Sequence, residues 1–237
     1  MRQNHMKNII LTGASSGIGM AFARRAANSG RILLLGRNEK ALKELLKELP
    51  GDHAMMRCDV TSLSDCEKAV NHAMKEFGSV DVLVNNAGLG YFDPLAEGKL
   101  AEWHHMVDVN VKGILSMLHL CLPSLIEKKG HVINIGSVAS HHVFPNSGVY
   151  CATKHAVLAI SESIRVELMG KVRVTTISPG AVNTDFINKT TNETIHADMK
   201  DYFATSMAPD TIAQQIMHAL NAPADSVINE ILIRPFR

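Results

Sequence analysis

Tyr150 and Lys154 stand four residues apart in a stretch with helical apolar spacing, so they share one face. A free tyrosine has a pKa of about 10, so only about one phenol in a thousand is ionised at neutral pH. Oxidising an alcohol needs a base, and reducing a ketone needs an acid. An ammonium one helical turn away, with a positive nicotinamide ring nearby, favours phenolate. Lowering the pKa by about two units takes roughly 2.7 kcal/mol. A partly screened charge pair at ~4–5 Å supplies roughly 3–4 kcal/mol. A neutral hydrogen bond, net about 1 kcal/mol, does not suffice. Ser137 follows the apolar run 131–135, at a strand's carboxyl end, where it could hold and polarise a substrate oxygen. Asn110 lies mid-way along the preceding helical stretch. Taken singly, these residues could equally be a core tyrosine, a solvated lysine and a turn serine.

A second group lies near the start of the chain. Thr12-Gly13-Ala14-Ser15-Ser16-Gly17-Ile18-Gly19 follows the first apolar run and opens the first helical stretch. Such a turn brings backbone amides and a helix N-terminus to a pyrophosphate. The spacing is G-x-x-x-G-x-G, where most dinucleotide binders have G-x-G-x-x-G. Alone, it could be only a tight strand-to-helix turn. The end of the second run is where an acid would bond the ribose 2′-hydroxyl of NAD. Gly36 stands there, followed by Arg37. A guanidinium without a carboxylate suits a 2′-phosphate, so the expected cofactor is NADP(H). Otherwise Arg37 is a solvated turn residue.

The elements that must position these groups alternate. Apolar runs at 7–11, 31–35, 53–57, 80–84, 131–135, 172–177 and 227–233 are separated by helical patterns at 18–28, 39–49, 64–78, 100–125, 149–169 and 211–220. Ser64 and Glu67 form a capping-box pattern. Runs that are apolar throughout predict a parallel sheet covered on both faces. The expected fold is a doubly wound, Rossmann-type α/β domain of about seven parallel strands, spanning residues 1–237 as one unit.

Composition narrows the function. With 46% hydrophobic and 20% charged residues, the chain reads as an ordinary globular protein. A net charge of +1 without basic runs argues against nucleic-acid or membrane surfaces. Cys58, Cys66, Cys121 and Cys151 show no C-x-x-C pairing, which fits a reducing cytoplasm. No signal peptide is apparent, and no apolar run suggests a bilayer span. Met1–His5 reads as a short lead, with Met6 an alternative start. The histidine pairs 104–105 and 141–142 lack metal-ligand spacing, so no metal is expected. Cys151 reads as a packed thiol.

Together, these residues resemble the short-chain dehydrogenase/reductase family, in its single-domain branch of about this length. The resemblance covers residues 8–235. It rests on Thr12-x-x-x-Gly17-Ile18-Gly19, Asp59-Val60, Asn85-Asn86-Ala87-Gly88, Asn110, Ser137, Tyr150-x-x-x-Lys154 and Pro179-Gly180-x-x-x-Thr184. It implies that Asn110, Ser137, Tyr150 and Lys154 are catalytic, with Asn110 holding a water of a proton relay. Gly13, Ser15, Ser16, Gly17, Ile18 and Gly19 would hold the phosphates. Some relatives carry a Lys or Arg in the glycine turn; here Ser16 stands there, leaving the 2′-phosphate to Arg37 and Asn38. Asp59 and Val60 would meet the adenine, and Asn86, Ala87 and Gly88 would line the adenosine ribose and support the sheet. Lys154 would also bond the nicotinamide ribose. Pro179, Gly180, Val182 and Thr184 would position the nicotinamide. The stretches 150–154 and 231–235 are similar to a bacterial group of NADP-dependent alcohol and hydroxy-acid dehydrogenases.

The substrate side is expected from Tyr91, Phe92, Val138, His142, Val143 and Phe186, as a mostly apolar pocket. Residues 185–208, with Ile195, Met199, Tyr202 and Phe203 at helical spacing, read as a lid or as a packed surface helix. No arginine sits near these motifs, which favours a small neutral carbonyl or alcohol substrate over a hydroxy acid. The apolar stretch 100–125 and the resemblance imply a homodimer or homotetramer. Two alternatives stay open: a 3-oxoacyl-thioester reductase and a non-catalytic NADP(H)-sensing binding protein. A longer-branch epimerase or dehydratase needs an added substrate domain, for which there is no room.

Overall fold

A computed structural model of the chain describes residues 6–223 and 225–236, without the side chains of Lys189, Asp198 and Tyr202. The lead Met1–His5 and the Tyr202 side chain lie outside the described residues. Seven parallel strands form one sheet: β1 (Lys7–Leu11), β2 (Gly30–Gly36), β3 (Ala54–Arg57), β4 (Val82–Asn85), β5 (His131–Ile135), β6 (Arg173–Pro179) and β7 (Glu230–Ile233). Their spatial order is β3-β2-β1-β4-β5-β6-β7. The chain steps outward from β1 through β2 and β3, then returns to pair β4 on the other side of β1. Ile9 is paired with Ile32 in one direction and with Val82 in the other. The crevice opens at this reversal, beyond the carboxyl ends of β1 and β4.

The central strands bury both faces, which explains their continuous apolar runs. Ile9, Ile10 and Leu11 are buried, and successive residues face opposite cores. One core lies under α1 (Gly17–Ala26), α2 (Glu39–Glu48) and α8 (Pro209–Leu220). The other lies under α3 (Leu63–Phe77), α4 (Leu100–Val107), α5 (Gly113–Lys128) and α6 (Gly148–Glu167). Helix α7 (Glu193–Ala204) lies in the segment expected to form the lid.

Several boundaries differ from the sequence expectation, for local reasons. Ser62, not Ser64, caps α3, with its hydroxyl accepting from Asp65 N at 3.2 Å. Strand β4 begins at Val82, because the Val80 amide donates to Ser124 Oγ at 2.8 Å. The stretch expected as one helix at 100–125 is broken by a π turn at Asp108–Lys112 and runs on to Lys128. Taken whole, residues 100–128 are long and apolar enough to cross a membrane, contrary to expectation; half of that apolar stretch is buried within the fold. A core helix between sheet and neighbouring helices is apolar for the same reason a spanning one is.

Candidate active site

At the first turn, Gly13 has φ 66° and Gly17 φ 52°, left-handed values that side chains resist. At Gly19 a Cβ would collide with the Gly13 carbonyl and meet Asn86 Nδ2 at 2.6 Å. Asn86 explains this closeness. Its Nδ2 donates to the carbonyls of Thr12 and Gly13, each at 3.0 Å. Thr12 Oγ1 in turn accepts from the amides of Asn86 and Ala87, each at 3.0 Å. Asn86 and Ala87 therefore hold the glycine turn against the end of β4. Ser16 stands at the N-cap of α1, and its side chain makes no capping bond. No acid occupies the first turn of that helix, while Arg24 and Arg25 lie in its last. An anion is welcome at such an end.

Beyond β2, a Cβ at Gly36 would meet Ser15 Oγ at 3.1 Å, so Ser15 leans across the place where an acid would sit. Arg37 is exposed there, and no ion pair holds it among the described residues. Asn38 is engaged locally, since its Oδ1 accepts from Ala41 N at 3.1 Å and caps α2. Asp59 is pushed up by burial. The bonds from Thr61 N–H (3.0 Å) and Thr61 Oγ1 (2.8 Å), with Arg37 and His105 nearby, outweigh that and hold its carboxyl below the usual range. Val60 is buried and close to Gly113, where a Cβ would meet it at 2.8 Å.

The catalytic candidates converge on the carboxyl end of β5. Lys154 Nζ donates to the Ile135 carbonyl at 2.8 Å. Ser137 starts a short 3-10 turn, its Oγ accepting from Ala139 N at 3.0 Å. Asn110 lies in the π turn. Its Nδ2 donates to Leu89 O (2.8 Å) and Thr153 Oγ1 (3.1 Å), and its Oδ1 accepts from Leu89 N at 2.9 Å. Both amide hydrogens are thereby spent on positioning the loop after β4 and helix α6. A Cβ at Gly88 would lie 3.5 Å from Asn110 Oδ1 and 3.7 Å from Lys154 Nζ, so that glycine fronts both.

Tyr150 is buried between Phe92 and Phe186, with ring centroids 5.4 and 5.5 Å away. Burial pushes its phenol up to about 12, while the Ser137 hydroxyl, as a hydrogen-bond partner, pulls it back. Burial also pulls Lys154 down to about 8. The expectation from spacing counted the ammonium together with a positive nicotinamide ring; for the protein groups by themselves, burial is the larger effect. Nζ stands 5.9 Å from the ring centroid and is engaged with Ile135, so burial dominates. In this arrangement the phenol is protonated at neutral pH, the form a ketone reduction needs.

Ser137, Tyr150 and Lys154 share one cavity of about 400 Å³, whose lining does not include Asn110. Ile18, Asn86 and Gly88 line it from the nucleotide end, and Ser137, Tyr150 and Lys154 from the catalytic end. Pro179, Gly180, Val182 and Thr184 close the side beyond β6. Gly180 N donates to Ile233 O at 2.7 Å, and Thr184 caps a 3-10 turn (Asp185–Lys189). The glycine turn, the uncapped helix end and the cavity that Ile18 and Gly88 open onto would suit a dinucleotide.

On the substrate side, Phe92, Val138 and Phe186 line the cavity as expected, and so do Ile195, Met199 and Phe203 of the lid segment. Three expectations fail. Tyr91 turns away, its hydroxyl paired with His105 Nδ1 at 3.0 Å. His142 and Val143 are exposed, Val143 by 72%. Their place is taken by Phe144, Pro145, Asn146 and Ser147, which sequence reasoning missed. The run of turn formers just before the tyrosine helix was the available signal. The lid segment is tied at both ends. Val182 bridges Met207, and Asn183 N donates to Met207 O at 2.9 Å. Lys99 Nζ donates to Thr191 Oγ1 at 2.6 Å, and Thr191 Oγ1 to Glu102 Oε1 at 3.0 Å.

Known proteins share this architecture. The short chain dehydrogenase family model matches residues 7–195. An uncharacterized oxidoreductase of Staphylococcus saprophyticus is 39% identical over 235 residues, covering 97% of this chain and 96% of its own. The glycine betaine reductase of Emericella nidulans is 39% identical over 236 residues, 97% of this chain but 19% of that protein. An alcohol dehydrogenase from Thermococcus sibiricus, solved with 5-hydroxy-NADP, superposes with a TM-score of 0.87 at 32% identity, covering 98% of this chain and 97% of its own.

Proposed function

The chain belongs to the short-chain dehydrogenase/reductase family of oxidoreductases, and from that premise we propose that it is an NADP(H)-dependent enzyme interconverting a small neutral carbonyl compound and its alcohol. The observation that carries this reading is the single cavity onto which Ile18 and Gly88, Ser137, Tyr150 and Lys154 all open. When bound, the nicotinamide supplies or accepts the hydride. The Ser137 hydroxyl holds the substrate oxygen. The Tyr150 hydroxyl gives that oxygen a proton in reduction and takes it back in oxidation. Lys154 stabilises the phenolate left behind and bonds the nicotinamide ribose. Asn110 fixes the loop carrying Leu89 and the helix carrying Tyr150. Any relay water it holds must use an oxygen, and a π turn leaves main-chain carbonyls out of register.

Preference for NADP(H) is supported by Gly36 and the exposed Arg37, where an NAD enzyme would place a carboxylate. A neutral substrate is supported by the lining, in which Lys154 is the one charged residue. Exposed apolar residues Leu115 on α5 and Val166 on α6, with Met169 just beyond, support a homodimer or homotetramer, which light scattering would reveal. The main test follows NADPH and NADH absorbance over aldehydes, ketones and oxoacyl thioesters. Faster oxidation of NADPH with simple carbonyls is expected. Preference for NADH overturns the cofactor assignment, turnover confined to thioesters transfers the reading to an oxoacyl reductase, and nucleotide binding without turnover leaves a sensing protein.

A further inference from the structure

Asn146 has φ 60°, the left-handed region, which costs a non-glycine residue energy although asparagine tolerates it best. The other such residue among those described, Lys129, is explained as the C-cap of α5. Asn146 caps no helix. Its carbonyl accepts from Asp93 N at 2.8 Å, which ties the loop before α6 to the loop after β4. Those loops are two walls of the substrate cavity, and Asn146 lines it together with Ser137, Tyr150 and Phe186.

The other polar side chains of the cavity outside the catalytic set each make a hydrogen bond within the chain. Ser147 Oγ donates to Phe144 O at 2.8 Å. Asn86 serves the glycine turn, and Thr184 Oγ1 accepts from Phe186 N at 3.4 Å. Asn146 alone among them keeps its amide uncommitted to the described residues. The surrounding wall is aromatic and aliphatic. A neutral group able both to donate and to accept, on the wall of an apolar cavity, discriminates by hydrogen bonding rather than by charge.

We infer that Asn146 is a specificity-determining residue whose side-chain amide binds a second, uncharged polar group of the substrate, such as a hydroxyl or amide, separate from the reacting carbonyl. The inference rests on the oxidoreductase reading above. A matched pair of probes tests it: 4-hydroxy-2-butanone and 2-pentanone, which differ by a hydroxyl in place of a methyl. With NADPH saturating, the wild-type enzyme should show a KM about fivefold lower for the hydroxyketone, the scale of one neutral hydrogen bond. Asn146→Gly deletes the amide yet keeps positive φ without strain, so the fold is retained. It should bring the two KM values within about twofold. Asn146→Asp, which keeps an acceptor and tolerates the same backbone, should preserve the preference for the hydroxyketone. An Asn146→Gly enzyme that discriminates as well as wild type overturns the inference, as does a wild type that favours 2-pentanone. If no simple carbonyl is turned over at all, the simple-carbonyl reading falls and takes this one with it.

Discussion

The two ends of the cleft are built by opposite means. At the nucleotide end, backbone forms the binding surface. Glycines leave no room for side chains, and Thr12 and Asn86 are consumed in holding them. At the substrate end, rings form it. Phe92 meets Tyr150 and Phe186 edge-on, Tyr150 and Phe186 are tilted to each other, and the loop through Asn146 and the lid segment complete the wall. A ligand part that never varies can be met by fixed backbone, which tolerates almost no substitution. A part that varies is met by side-chain packing, which can be exchanged with little change to the sheet.

The largest expected effect lies where the two ends meet. Tyr150→Phe should lower kcat by about a thousandfold, within the range for losing an acid/base group, with NADPH affinity nearly unchanged. Retained turnover would break the comparison, since neither end would then serve the phenol. Next comes Gly19→Ala. Its Cβ has no place beside Gly13 O, so NADPH affinity should fall by about a hundredfold, as when a close backbone approach is forced apart, or folding should fail. Wild-type affinity there would show that the turn is more pliant than its close contacts imply. Arg37→Ser should weaken NADPH, and not NADH, by about tenfold or more, because one charge-assisted contact is worth roughly 1.5–3 kcal/mol.

Lys154 offers a pH test at the junction. Its folded pKa of about 8 lies below the ordinary lysine value of 10.5, so between these values the unfolded chain binds more protons. Stability should therefore rise with pH across this window, by up to about 3 kcal/mol. Thermal melts without added nucleotide should show wild type gaining on Lys154→Met from pH 8 to 10.5. A constant difference would mean the ammonium is better solvated than its burial implies. The smallest effect is expected at the substrate end. Phe186→Leu should alter KM among carbonyls by about two- to tenfold, the worth of one apolar contact, and leave NADPH affinity alone.

The same contrast explains what the sequence made legible. The glycine turn, Gly36-Arg37, Ser137 and the Tyr150/Lys154 pair are short-range patterns, and the fold brings Ile18 of the turn, the serine and the pair to one cavity. The doubly wound sheet followed from seven apolar runs of strand length. Tyr91, His142 and Val143 were misplaced because the direction of a loop side chain depends on distant partners. His105 draws Tyr91 aside, and Asp93 fixes the loop that carries Asn146. The burial of Tyr150 was not legible for the same reason: spacing gives the distance to a charge, but not the depth at which a side chain lies.

The Val182–Met207 bridge has a consequence for how this molecule can change. Where the chain leaves β6 and where it enters α8 are already fastened together, so the segment between them is a closed excursion. Its length and composition can be rewritten, even transplanted, without the strands registering the difference. The scaffold can thus acquire a new appetite by exchanging one cartridge, while the machinery for moving the proton stays as it is.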